Sequence, residues 1–129
     1  MARVILDAGV AIALRSPQDP HAEAARAIVL AAEELVIHPV TLAEALVAPA
    51  RAGVAARVRD FLIDGLGVAI WDPDAEEPLR VAELRAATRI ALPDCYVLQL
   101  AEQSGHALAS FDHRLLQTAR DRGVAIAEA

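Results

Sequence analysis

The sequence contains no lysine, a single cysteine and few aromatic residues, which exclude a lysine base, an internal disulfide and an aromatic core. All 12 basic residues are arginines, which bind phosphate in a bidentate manner but do not serve as proton-shuttling bases. The lone Cys95 excludes an internal disulfide. Aromatic residues make up 3% of the chain although 56% of it is hydrophobic. The core therefore has to be built from Ala, Val, Leu and Ile.

Long apolar runs are missing as well. No run approaches the ~20 residues that a membrane-spanning helix needs. Asp7 interrupts the apolar N-terminal stretch too early for a signal peptide. We therefore expect a soluble, cytoplasmic protein with no membrane partner, and 129 residues fit one domain, residues 1–129.

Basic charge is scarce too, since 18 acidic residues face 12 basic ones and the net charge is −6. Broad nucleic-acid binding usually comes with a basic surface. The charge therefore indicates either that the partner is not a nucleic acid or that metal neutralises some of the acids.

Short apolar runs alternate with helical stretches along the whole chain. The predicted strands are Arg3–Leu6, Leu35–Ile37, Val68–Trp71, His106–Ser110 and Val124–Ala127. The predicted helices are Ala8–Arg15, His21–Glu34, Thr41–Ala52, Val54–Asp64, Glu76–Ile90, Pro93–Ser104 and Asp112–Arg122. Strands this short and apolar, separated by helices, predict an α/β fold whose parallel sheet is covered on both faces. The pattern does not fix the strand order.

Four acidic residues are candidates for a site at one edge of this sheet. Ligands of open parallel sheets bind beyond the carboxyl ends of the strands. Asp7 directly follows the first strand, Asp112 follows the fourth, and Glu44 lies at the start of the helix after the second. Asp94 begins a helix, and its neighbours on the same helix face are the apolar residues Val97, Leu98 and Ala101.

Each acid also has a purely structural interpretation. Thr41-Leu42-Ala43-Glu44 is a capping-box sequence, in which Glu44 only ties off a helix. Asp112 suits an N-cap, and Asp94 after Pro93 suits a helix N-terminus. Among the four acids, the purely structural interpretation is weakest for Asp7. The two interpretations are compatible, because one carboxylate can both cap a helix and bind a metal.

Four carboxylates at one edge would repel each other without a counter-ion. Mg²⁺ and Mn²⁺ prefer oxygen ligands and would relieve that repulsion. A carboxylate site for such an ion indicates phosphate chemistry, because the metal can activate water and stabilise the charge on the leaving oxygen.

Four segments that contain these acids follow one another as Ile5-Leu6-Asp7, Thr41-Leu42-Ala43-Glu44, Leu92–Glu102 and Leu108–Leu115. This order resembles the PIN-domain family, most closely the VapC-like toxins of bacterial toxin–antitoxin pairs. The resemblance covers nearly the whole chain and implies a three-layer α/β/α sandwich. It also implies a Mg²⁺- or Mn²⁺-dependent endoribonuclease that hydrolyses RNA with a metal-activated water. The catalytic and metal-binding residues would be Asp7, Glu44, Asp94 and Asp112.

The same resemblance extends to neighbouring residues and to partners. Ser110 stands where the family often has Thr or Ser, and its hydroxyl could orient Asp112; a plain strand-end hydroxyl is the alternative. Arg114 is a candidate RNA contact. Gly9 departs from the family, which often has Ser, Thr or Asn there. Family members are commonly homodimers held inactive by a small antitoxin.

Three other functions compete with this one. A receiver-like phosphoacceptor domain relies on a lysine, which this chain lacks. A catalytically inactive PIN-like binding module would not need four acids, and a DNA nuclease would use the same metal chemistry.

The acids Asp72, Asp74, Glu76 and Glu77 are interpreted as a solvated turn rather than a metal loop.

Overall fold

The computed structural model describes residues 3–129 as a layer of β-strands between two layers of helices; Met1 and Ala2 of the predicted domain lie outside the described residues. The strands are β1 (Arg3–Leu6), β2 (Glu34–Ile37), β3 (Ala69–Ile70) and β4 (Ala107–Ala109). The helices are α1 (Ala8–Arg15), α2 (Ala22–Ala31), α3 (Pro39–Arg51), α4 (Ala55–Asp60), α5 (Glu77–Thr88), α6 (Leu92–Ser104) and α7 (His113–Asp121), and a π-helical segment, Phe61–Gly65, continues α4. Within residues 3–129, none of the helices is long and apolar enough to cross a membrane.

The four strands are parallel and lie in the order β3-β2-β1-β4. The chain steps from β1 to β2 and β3 in one direction and then returns to place β4 on the other side of β1. The winding direction therefore changes between β1 and β4. Such a switch point leaves a crevice at the carboxyl ends of the two strands, which is where open α/β sheets bind ligands.

Alternate residues of β1 face opposite helical layers, as the two-residue period of a strand requires. Val4 and Leu6 pack in one core with α1, α2 and α3. Ile5 packs in the other core with α5, α6 and α7. The largest fully buried side chains are mostly Leu, Ile and Val. The predictions of an aliphatic core and a doubly covered parallel sheet are confirmed.

Several predicted elements are wrong at their ends, most clearly one helix and one strand. The predicted helix His21–Glu34 is too long, because α2 ends at Ala31 and Glu34 already pairs with Arg3 in the sheet. The predicted strand Val124–Ala127 is reduced to one bridge between Leu108 and Ile126. Only two backbone hydrogen bonds, both to Leu108, tie this segment to β4.

Gly9 is a position in α1 at which substitution by alanine is expected to stabilise the protein. It lies in the first turn of the helix, and a Cβ there would meet no atom within 4 Å. We expect Gly9→Ala to raise the free energy of unfolding by up to about 1 kcal/mol, the usual helical difference between the two residues. Urea denaturation would measure the change.

Gly105→Ala is the matched control for this substitution. Gly105 ends α6 with a φ of +74°, a left-handed conformation that alanine adopts at a cost. We expect this variant to be less stable than the wild type. A loss of stability in Gly9→Ala would contradict the open surroundings of Gly9.

Candidate active site

Asp7 is held by the parallel pairing of β1 with β4. Its amide donates to the carbonyl of Ala109 at 2.9 Å, and its side chain caps α1 by accepting from the Ala8 amide at 2.9 Å. The second carboxylate oxygen accepts from the Ser110 hydroxyl at 2.7 Å. Asp7 is buried, with 8% of its surface exposed. The carboxylate is thus fixed at the switch point of the sheet.

Ser110 connects two of the predicted acids. Its Oγ donates to Asp7 and accepts from the backbone amide of Asp112 at 3.0 Å. One interpretation of the sequence has this hydroxyl orient Asp112; it does contact the Asp112 backbone, but its own proton is donated to the Asp7 carboxylate, because Ser110 continues β4 beside the end of β1. The interpretation of Ser110 as a plain strand-end hydroxyl is therefore wrong.

Asp112 is the N-cap of α7, as one of the two interpretations predicted. Its Oδ1 accepts from the Leu115 amide at 3.0 Å. Capping engages one oxygen of an otherwise exposed side chain. The geometry agrees with a carboxylate that caps a helix and still faces a ligand.

Glu44 and Asp94 reach the same edge from two helices. Glu44 lies more than one turn inside α3, which begins at Pro39 with His38 as its N-cap. The capping-box interpretation of Thr41 and Glu44 is therefore wrong, and the expected position of Glu44 at the start of its helix needs the same correction.

Asp94 lies in the first turn of α6 and is half-buried. Its helix-face companions Val97, Leu98 and Ala101 are buried, as the spacing predicted. Asp94 is therefore aligned with the apolar face of α6, where a carboxylate needs a partner.

The four carboxylates are near enough to perturb one another. Burial, followed by the charges of Asp7, Asp112 and Glu44, raises the pKa of Asp94 from 3.8 to about 6. Partial burial of its carboxyl group and the charge of Asp7 raise the pKa of Glu44. Burial also raises the pKa of Asp7, against the opposing hydrogen bonds from Ser110 and Ala8, and the charge of Asp112 adds to the increase.

These residues share a neighbourhood but do not form a closed ligand shell. Among residues 3–129, no three His, Cys, Asp or Glu side chains are drawn together tightly enough to hold a metal ion as they stand. The donors are all oxygens, so the set fits a hard divalent cation such as Mg²⁺ or Mn²⁺.

Thr41, which the sequence offered only as part of a capping box, has a buried hydroxyl one helical turn before Glu44. Thr41 is fully buried in the first turn of α3, and its Oγ1 has no hydrogen-bond partner within residues 3–129. It precedes Glu44 by three residues and so shares its helix face. An unpaired buried hydroxyl calls for a partner such as a water or a ligand atom.

The acidic turn after β3 is only partly the solvated loop that the sequence indicated. Asp74 is exposed and pairs with Arg80 at 3.0 Å, which agrees with that interpretation. Glu77 departs from it, because it is buried and contacts His38. The RNA-contact candidate Arg114 is exposed in the first turn of α7, two residues after Asp112.

Comparisons with known proteins identify a family and several solved structures of the same fold. A family model described as the PIN domain matches residues 4–121. The sarcin–ricin loop cleaving toxin VapC20 of Mycobacterium tuberculosis has a TM-score of 0.79 at 13% identity, over 98% of this chain and 99% of that one. No curated protein matches the sequence.

Two further solved structures are similar over most of their length. FitAcB of Neisseria gonorrhoeae has a TM-score of 0.69 at 21% identity, over 95% of both chains. A toxin–antitoxin complex from Klebsiella pneumoniae has a TM-score of 0.68 at 20% identity, over 84% of this chain and 86% of that one. At these identities the likeness is one of fold, and the predicted three-layer α/β/α sandwich is confirmed.

The raised pKa of Asp94 makes the metal-free protein less stable as the pH rises. Between pH about 4 and about 6 the folded state binds more protons than the unfolded state, so stability falls across this window and stays lower above it. We expect Asp94→Asn to weaken this pH dependence and to raise the melting temperature at neutral pH in EDTA. Thermal denaturation across this pH range would measure both effects.

Asp64→Asn serves as the control because Asp64 is exposed in the π-helical segment that precedes β3, away from the carboxyl ends of the strands. This variant should keep the pH dependence of the wild type. Equal pH profiles for wild type and Asp94→Asn would show that the pKa of Asp94 is not raised in the folded protein.

Proposed function

Because the chain belongs to the PIN-domain family, we propose that it is a Mg²⁺- or Mn²⁺-dependent endoribonuclease and the toxin of a toxin–antitoxin pair. One observation supports the activity above all. Four carboxylates, Asp7, Glu44, Asp94 and Asp112, are electrostatically coupled at the crevice between β1 and β4. Such a concentration of negative charge opposes folding, and its compensation by a divalent cation fits a catalytic site.

The chain's own residues have distinct roles in this proposal. Asp7 is the most rigid acid, since Ser110 and the Ala8 amide fix both of its oxygens. Asp112 is oriented by its capping bond to the Leu115 amide. Glu44 and Asp94 complete the oxygen set from the two opposite helical layers. A divalent cation held by these oxygens supplies Lewis acidity toward the scissile phosphodiester and the attacking water.

The proposed substrate is RNA, and the exposed Arg114 is proposed to contact it. A guanidinium two residues from Asp112 would bind a phosphate next to the one being cleaved. The chain is poor in aromatic residues, so base stacking contributes little. Recognition would then depend on the shape of the RNA and on arginine contacts, despite the net charge of −6.

The proposed partners are a small antitoxin and a second copy of the chain. Solved proteins of the same fold include toxin–antitoxin complexes, one of them from Klebsiella pneumoniae. Another is a complex of VapBC2 from Rickettsia felis with a DNA fragment from the promoter. An antitoxin would explain how a cell tolerates this nuclease.

The competing proposal is a PIN-like module without catalysis. It would have to keep a buried Asp7 and a half-buried Asp94 beside two further acids for no chemical purpose, at a cost in stability. The two proposals differ in metal binding, because the nuclease needs these carboxylates to bind Mn²⁺ and the inert module does not. A DNA nuclease would bind the metal equally well and would be distinguished by its substrate.

Purified chain free of antitoxin is expected to cleave total cellular RNA in Mg²⁺ or Mn²⁺ and not in EDTA. Hydrolysis by water should leave 5′-phosphate and 3′-hydroxyl ends, which sequencing of the ends would identify. Asp94→Asn should lower cleavage by at least about 100-fold, because it weakens the electrostatic site for the metal. The exposed-site variant Asp64→Asn should cleave like the wild type.

Several results would contradict the nuclease. Ends that carry a 2′,3′-cyclic phosphate would show attack by the RNA 2′-hydroxyl. Activity that persists in EDTA would show that the reaction does not need a metal. A folded protein that binds no Mn²⁺ and cleaves neither RNA nor DNA would favour the inert module, whereas cleavage of DNA alone would favour a DNA nuclease.

Induced expression of the chain alone is expected to arrest bacterial growth, because an unrestrained ribonuclease depletes RNA. Asp94→Asn, expressed to the same level, should allow normal growth. Colony counts and growth curves would measure the difference. Equal toxicity of both proteins would show that growth arrest does not come from this site.

A further inference from the structure

A buried histidine–glutamate pair lies outside the four-acid site and has no role in the chemistry proposed above. His38 directly follows β2 and has 1% of its surface exposed; Glu77 is the first residue of α5 and has 4% exposed. Both carboxylate oxygens of Glu77 lie 2.9 Å from Nε2 of His38. Burying a polar pair this deeply costs folding free energy, which only well-formed hydrogen bonds can offset.

The hydrogen bonds define the tautomer of His38. Its Nδ1 accepts from the backbone amide of Val40 at 3.0 Å, so that nitrogen carries no proton. The ring proton therefore resides on Nε2, from which it is donated to Glu77. Glu77 is suited to the anionic role because the N-terminus of α5 favours negative charge.

The bond to Val40 makes His38 the N-cap of α3. Ser, Thr, Asp and Asn are the usual N-caps, and their side-chain oxygens accept without any constraint of tautomer. A histidine caps only while Nδ1 is unprotonated. By accepting from Nε2, Glu77 favours the Nε2–H tautomer, which leaves Nδ1 free to cap, over the Nδ1–H tautomer, which cannot cap.

His38 also touches both helices that carry Glu44 and Asp94. α3 carries Glu44, and the ring of His38 lies 5.0 Å from the ring of Tyr96 on α6, tilted by 45°. Tyr96 follows Asp94 by two residues. The start of α3 is thereby fixed to α5 through Glu77 and packed against α6 through Tyr96.

We propose that His38, with its tautomer fixed by Glu77, is a positioning residue for Glu44. It sets the start of α3 relative to α6 and so places the Glu44 carboxylate with respect to Asp94. This role rests on the proposed function, in which Glu44 binds a divalent cation. His38 and Glu77 themselves touch neither substrate nor cation.

Three single variants test the role of Glu77. Glu77→Gln keeps an acceptor for the Nε2 proton, Glu77→Leu removes it, and Glu76→Leu removes the same charge from the exposed neighbouring residue. Two-dimensional ¹⁵N NMR of the metal-free proteins reports the His38 tautomer. Titration with Mn²⁺, followed by electron paramagnetic resonance, reports the affinity of the site.

We expect Glu77→Gln and Glu76→Leu to retain the Nε2–H tautomer and the wild-type Mn²⁺ affinity. Glu77→Leu should show mixed tautomers and an affinity about tenfold lower, the lower end of what residues behind metal ligands contribute. Wild-type affinity in a folded Glu77→Leu with mixed tautomers would overturn the proposal. Equal losses in Glu76→Leu and Glu77→Leu would also overturn it, because net charge would then be the cause.

A pair of double variants keeps the test decisive if Glu77→Leu does not fold. His38→Asn with Glu77→Leu supplies an uncharged N-cap, and His38→Ala with Glu77→Leu supplies none; neither leaves an unpaired buried charge. We expect the Asn variant to bind Mn²⁺ about tenfold more tightly than the Ala variant. Equal affinities at equal folded fractions would overturn the role of the cap.

Failure of the proposed function has a different outcome. A folded wild type that binds no Mn²⁺ would overturn both the metal site and the positioning role. Wild-type binding that none of the His38 or Glu77 substitutions alters would overturn the positioning role alone.

Discussion

The parallel pairing of β1 with β4 brings carboxylates together that would otherwise repel one another. The pairing continues past the strand ends, where the Asp7 amide bonds to Ala109 and the Ser110 hydroxyl bonds to the Asp7 carboxylate. Asp112 lies two residues after Ser110 and caps α7. Because the sheet changes its winding direction at this pair of strands, the helices diverge there and leave the edge open to a ligand.

The concentration of acids at this edge costs stability, and the rest of the fold offsets that cost. Burial and mutual repulsion raise the pKa values of Asp7, Glu44 and Asp94. Two aliphatic cores, one on each face of the sheet, provide the opposing free energy. In the proposed nuclease of the PIN-domain family, a divalent cation would relieve this repulsion, so the acids would serve catalysis.

Helix caps connect the fold to the candidate site. Asp7 and Asp112 each cap a helix with one carboxylate oxygen. The sequence allowed either a capping or a metal-binding interpretation of Asp112, and the geometry accommodates both. Glu44 differs, because the cap of its helix is the preceding histidine, His38. The position of Glu44 therefore depends on a buried pair that contains none of the four acids.

Composition and periodicity determined the α/β class, the aliphatic core and the positions of Asp7 and Asp112 after their strands, because these features depend on neighbours close in the chain. The face of α6 that carries Asp94 was predictable for the same reason. The strand order, the contact of Ser110 with Asp7 and the burial of Glu77 were not. Ser110 and Asp7 are 103 residues apart, and His38 and Glu77 are 39 apart. Only the tertiary structure could decide such contacts, since local sequence patterns carry no information on which distant segments meet.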